Sequence, residues 1–143
     1  MSRDPIFAPV LVQVLLTLAM YVVLIRAKTR ALKAGQVDLK RRALYDDAWP
    51  ESVIQINNNI RNQFELPVLF YALAFTLWAL DSVHYAALGA AWLFVLSRIV
   101  HAWVHTGPNT QPARRYAFTF GWALLLVMAL LVAWELGTRA LAA

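Results

Sequence analysis

Apolar residues along this chain come in long blocks, with no sustained alternation. The first block, Ile6 to Ile25, reads IFAPVLVQVLLTLAMYVVLI. Others run from about Phe64 to Leu80, Val83 to Val104 and Tyr116 to Leu136. About 20 apolar residues suffice to cross a bilayer as a helix, so the pattern predicts four crossings, over approximately 6–27, 52–80, 83–105 and 114–138. The second begins among polar residues and is read as one helix running from near Glu51, with Pro67 removing a backbone donor and kinking it. No strand pattern of the kind a closed barrel needs is present. The expected architecture is a single domain over 1–143, an all-α integral membrane four-helix up-down bundle.

The connections differ. DSVHY at 81–85 is short enough to make the second and third helices an antiparallel hairpin. HTGPNTQPARR at 105–115 breaks a helix through Gly107, Pro108 and Pro112. The first loop, Arg26 to Trp49, is the longest and most charged, with room for a short surface helix around Leu39–Ala48. Asp47 or Ser52 is expected to cap the second helix, with Pro50 near its first turn.

Composition agrees with the pattern. The 143 residues are 61% hydrophobic and 15% charged, against roughly 45–50% and about 25% in soluble domains. With no cysteine, disulfides, thiolate metal sites and a cysteine nucleophile are excluded. The net charge of +5 does not point to nucleic acid, because the basic residues flank apolar segments. Arg26, Lys28, Arg30, Lys33, Lys40, Arg41 and Arg42 sit in the first loop and Arg114 and Arg115 in the third, whereas the opposite side has only Arg3 and Arg139. By the positive-inside rule the first and third loops are expected to be cytoplasmic and both termini outside. The first span, lacking a basic start and a small-residue cleavage site, is expected to be retained. Trp49, Trp78, Trp103 and Trp134 are expected interfacial anchors.

Two polar clusters interrupt the apolar pattern. Asn58, Arg61, Asn62 and Glu65 stand at i, i+3, i+4, i+7 and so share a helix face. Arg98, His101 and His105 do the same on the third helix. With Arg114 and Arg115 they converge near one membrane boundary, as a basic pocket suited to an anion. Simpler roles compete. Arg61 can pair with Glu65 one turn on, Arg98 can pair with Glu65 between helices, and Arg114 and Arg115 can serve topology alone. His101 and His105 have the spacing of a helical metal pair but lack the glutamate that usually follows the first histidine, and no metal is expected.

RNQFELPVLF in the second crossing, SRIVHAWVHTG in the third and ARR after the third loop resemble the MAPEG family, the membrane-associated proteins of eicosanoid and glutathione metabolism. The resemblance covers nearly the whole chain. It implies a homotrimer in a membrane, here expected to be a bacterial inner membrane. It implies glutathione as co-substrate, held between subunits, and an apolar small-molecule electrophile or lipid hydroperoxide as second substrate. Carried over by motif, Arg61, Asn62 and Glu65 hold the tripeptide's charged ends, with Asn58, His101, His105 and Arg115 completing the ligand-binding set. Arg114, or next Arg98, stabilises the thiolate, the nucleophilic form of a thiol. The chain departs from the family in carrying Pro67 two residues after the glutamate, Asn58 where an arginine is common, and His105 and Phe118 where tyrosines are common. The family includes a non-enzymatic lipid-binding member, so the alternative function is a lipid-binding or scaffold protein of the same fold.

Overall fold

The computed structural model describes residues 2–142. They form five α-helices: α1 (Phe7–Lys33), α2 (Glu51–Asn62), α3 (Leu66–Ala79), α4 (Tyr85–Thr106) and α5 (Gln111–Ala142). Among the described residues there is no strand. Three stretches, Asp4–Lys33, Tyr85–Thr106 and Gln111–Ala142, are each long and apolar enough to cross a membrane alone. The remaining crossing is made by α2 and α3 in succession, so the bundle has the four up-down crossings of an all-α integral membrane protein.

The second crossing is interrupted, where the sequence suggests one kinked helix. α2 ends at Asn62, and α3 restarts at Leu66 after Glu65, whose backbone lies outside the helical region (φ −102°, ψ −97°). Pro67 supplies the reason. It has no N–H for the carbonyl of Gln63, and its ring crowds that carbonyl in a continuous helix. Leaving the helix for a turn relieves both, and Pro67 then occupies the first turn of α3, where a missing donor costs nothing.

α1 runs to Lys33, past the expected end near residue 27, because the basic stretch also holds good helix formers such as Ala27, Ala31 and Leu32. It stops in a Schellman motif. Gly35 takes a left-handed conformation (φ +67°), Gly35 N–H donates to Leu32, and Gln36 N–H donates to Ala31. The rest of the first loop forms turns and a 3₁₀ turn at Asp46–Ala48 in place of a surface helix. It is tied instead by Asp38, whose carboxylate accepts from the Lys40 and Arg41 amides, and by a bidentate Arg41–Asp47 pair. The hydrogen bonds and charge of Asp47 raise the Arg41 pKa. Asp47 is thus spent on the loop, and neither it nor Ser52 caps α2; Pro50 stands at that position, with its carbonyl accepting from Val53 and Ile54.

Two apolar clusters hold the bundle. One, around Phe70, Leu77, Phe94 and Met128, joins α3, α4 and α5, with Phe70 and Phe94 stacked at 4.6 Å. The other, around Met20, Val53, Ile60 and Ala102, joins α1, α2 and α4. The outer surface is also apolar, with Leu11, Leu15, Leu18, Ile25, Leu126 and Leu130 exposed, as expected where lipid is the solvent. Trp103 and Trp134 point outward as interfacial anchors do, 68% and 74% exposed.

Side-chain ties close both ends. At the basic end Gln55 of α2 donates to the carbonyls of His105 and Gly107, which ties α2 to the end of α4 and the start of the third loop. At the other end Arg139 donates to the Leu80 carbonyl, Trp78 Nε1 donates to Asp4 Oδ1 (3.1 Å), and Arg3 lies 3.8 Å from Asp81. Within the membrane Gln13 of α1, fully buried, donates to Gln63 Oε1 at 2.9 Å and so pins α1 to the break.

α4 and α5 approach closely at Gly121. A Cβ there would lie 2.8 Å from Ser97 Oγ, which is itself bonded to the Phe94 carbonyl. Gly121→Ala is therefore expected to lower unfolding stability in detergent by about 1–3 kcal/mol, the usual range for overpacking. Adding Ser97→Ala should restore most of it; a double variant no more stable than the single one would place the strain elsewhere.

Candidate functional site

The polar clusters meet where α2 ends, α4 nears its C-terminus and α5 begins. Asn62, at the last position of α2, is the centre. Its side-chain amide lies 3.4 Å from His101 Nε2 and 3.5 Å from His105 Nδ1. The Asn59 amide also reaches His105 Nδ1, at 3.4 Å, and accepts in turn from Gln63. His101 Nδ1 lies 3.1 Å from the Arg114 carbonyl. A carbonyl only accepts, so His101 carries its proton on Nδ1 and presents Nε2 as acceptor to Asn62. His105, faced at Nδ1 by amide donors, carries its proton on Nε2. One chain of amides and imidazoles therefore links Gln13 of α1 through Gln63, Asn59, His105, Asn62 and His101 to the first turn of α5.

Arg98 is fully buried beside this chain. One guanidinium nitrogen donates to the Asn62 carbonyl at 3.2 Å. In an unbroken helix that carbonyl would accept from the amide four residues on; here a cation caps the end of α2, where the helix dipole favours positive charge. Arg98 Nε and Nη1 have no protein acceptor. The Phe118 ring lies 5.8 Å from the guanidinium carbon.

In front of this layer an open groove of about 320 Å³ is lined by Asn62, Glu65, His101, Gln111, Arg114, Arg115 and Phe118. A neighbouring hollow of about 240 Å³ is lined by Glu51, Ile54, Gln55, Asn58, His105, Asn109 and Arg114. Arg114 stands between the two, its guanidinium held by Asn109 Oδ1 at 2.9 Å. Arg115 is exposed at the rim. Further along α3 and α5, Leu69, Ala72, Leu73, Trp122, Leu125, Leu126 and Ala129 line an apolar groove of about 310 Å³. Leu69 is four residues beyond Glu65 and Trp122 one turn beyond Phe118, so the apolar groove follows the polar one along the same pair of chain segments.

Two expected pairings are replaced. Arg61 does not pair with Glu65, because the break carries Glu65 off the α2 face; it pairs with Asp46 of the first loop at 2.5 Å and donates to Asn58. Among the described residues no ion pair joins Arg98 and Glu65. The structure thus brings Asn62, Glu65, His101, Arg114 and Arg115 to one groove and Asn58 and His105 to the adjoining hollow, with Arg98 behind them. Arg61, exposed and held by Asp46, lines neither. The His101 and His105 rings stand edge to face at 5.5 Å, their facing nitrogens turned to Asn62. Among the described residues no three ligating side chains gather for a metal.

Sequence reasoning missed Asn59, Gln63, Gln13, Gln111, Asn109 and Asp46. The usable signals were Gln13, a lone amide inside the first span, and Asn59 in the NNN run of 57–59.

No curated protein and no solved structure matches the chain. The family model described as the MAPEG family matches residues 6–134. That match takes in α1 to α4, α5 as far as Trp134 and both polar clusters: the chain belongs to the MAPEG family, helical membrane proteins whose members generally work in glutathione-related chemistry.

Proposed function

We propose that this protein is a glutathione-dependent transferase or peroxidase acting on apolar electrophiles or lipid hydroperoxides, and that it works as a homotrimer. The observation that carries the reading is a pair of neighbouring grooves: an arginine-lined polar groove is followed, about one helical turn along, by an apolar one lined by α3 and α5. A charged tripeptide thiol and a lipid-dissolved electrophile can meet only where two such surfaces join. The unpartnered donors of buried Arg98 add support, because a buried cation without an acceptor is costly until an anion approaches.

In this reading Arg114 and Arg115 draw the ligand's carboxylates and thiol to the groove, Glu65 takes its ammonium, and Asn62 and His101 orient its amides. Arg114, between the two hollows, stabilises the thiolate. The thiolate then attacks carbon of the electrophile with departure of its leaving group, or attacks the distal oxygen of a hydroperoxide as the O–O bond breaks, giving a glutathione sulfenic acid and an alkoxide that takes a proton from water; a second glutathione thiol converts the sulfenic acid to the disulfide and water. Arg61 joins by exchanging partners. Its ion pair with Asp46 is about half exposed on both sides, and such pairs contribute only about 0.2–1 kcal/mol, so a ligand carboxylate can displace Asp46.

A second reading, a lipid-binding or scaffold protein, is favoured by Arg98 acting as a cap for α2, since that role needs no ligand.

Calorimetry with glutathione separates the two. The enzyme reading predicts saturable binding, and turnover that Arg114→Ala lowers at least about tenfold, the loss of roughly 1.4 kcal/mol of transition-state stabilisation, with the oligomer intact. No binding up to about 10 mM, a range worth only a few kcal/mol, would favour the scaffold. Asp46→Asn is expected to tighten glutathione binding about two- to fivefold by removing the competing carboxylate; unchanged or weaker binding would take Arg61 out of the site.

A further inference from the structure

A separate cleft lies between the C-terminal third of α1, the first loop and the start of α2. It is small, about 170 Å³, and its walls include Lys28, Arg42, Tyr45, Asp46, Trp49 and Asn57. We propose that it holds the phosphate of an anionic phospholipid from the surrounding leaflet.

The cleft is built, and its charge is available. Lys28 Nζ sits 4.8 Å over the Trp49 ring, and Trp49 Nε1 donates to the Arg42 carbonyl at 3.2 Å. Helix, tryptophan and loop therefore place Lys28 on the Trp49 ring and hold the Arg42 backbone at the edge of one small hollow that both residues line. Among the described residues neither Lys28 nor Arg42 belongs to an ion pair. With no glutathione bound, the one carboxylate in the wall, Asp46, is paired with Arg61 and Asn57 and so does not oppose an anion with a free charge.

The surroundings select a lipid over free phosphate. Ile25 and Tyr21, three and seven residues before Lys28, continue its face toward the membrane interior, 63% and 41% exposed. Leu44, 85% exposed, stands at the mouth. Basic groups above an outward apolar strip match a phosphate above acyl chains, and Trp49 sits at the level where indoles mark the interface. The volume suits a phosphate and its immediate glycerol oxygens, with the chains remaining in the bilayer. Arg26, Arg30, Lys33 and Lys40, in the same layer, raise the local potential for anionic lipid.

The test uses the full chain, delipidated in neutral detergent, with thermal stability and native mass spectrometry as readouts. Phosphatidylglycerol should raise the midpoint saturably and stay bound in the gas phase, whereas phosphatidylcholine and inorganic phosphate at equal concentration should not. Lys28→Gln/Arg42→Gln should weaken phosphatidylglycerol binding about tenfold. Arg30→Gln/Lys33→Gln, which removes the same charge outside the cleft, should leave it within about twofold. Equal binding by both double variants would mean diffuse charge and overturn the site. An equal response to phosphatidylcholine or inorganic phosphate would overturn the anionic-lipid assignment. If the Lys28/Arg42 variant does not fold, selectivity among the three probes on the unaltered chain decides.

Discussion

One contact holds the second crossing in shape: the guanidinium of Arg98 on the carbonyl of Asn62. In hydrocarbon every backbone carbonyl needs an internal donor, and a helix that stops inside a bundle leaves its last carbonyls without one. Pro67 forces the stop, and Arg98 supplies the donor from the next helix. Because of the stop, Glu65 swings off the α2 face into the groove, and Gln63 turns inward to meet Gln13. The same residue that repairs the helix keeps two buried donors without a protein acceptor.

The bundle was legible because bilayer thickness imposes length, and length shows directly in the apolar blocks. The convergence of Asn62, His101 and Arg114 was legible too, since helical spacing places each on a face and the loop charges set their depth. The break was not, because Pro67 reads equally as a kink; which results depends on Arg98, distant in sequence, receiving the freed Asn62 carbonyl. Arg61 was misassigned for a related reason. Its spacing to Glu65 assumed a continuous helix, while its real partner, Asp46, lies in a loop with no periodicity to read. Gln13 stood in plain view as an amide within oil, but sequence alone could not say which helix it faced.

The amide–imidazole chain places polar groups in the membrane without adding charge. Amides and neutral rings meet at long hydrogen-bond distances, where each bond is weak but an unpaired group in hydrocarbon is worse; Gln13 Oε1, at the α1 end, is the one buried acceptor of the chain left without a partner. The net positive charge that remains near the groove is concentrated in Arg98, Arg114 and Arg115. Arg114 and Arg115 border the groove, whereas Arg98 is the one of the three buried inside the bundle.

α5 sets the protein's vertical position. Its 32 residues make a rod about 48 Å long, well beyond the roughly 30 Å of hydrocarbon. Arg115 and Glu135 are separated by about 30 Å along it, which matches the oily layer, and the turns after Glu135 are anchored through Arg139 to the Leu80 carbonyl. This helix therefore cannot slide freely to suit a thinner or thicker bilayer. A change in membrane thickness must be taken up by tilt of the whole bundle or by stretching of the lipid around it, so lipid chain length becomes a mechanical variable acting on the α3–α5 groove.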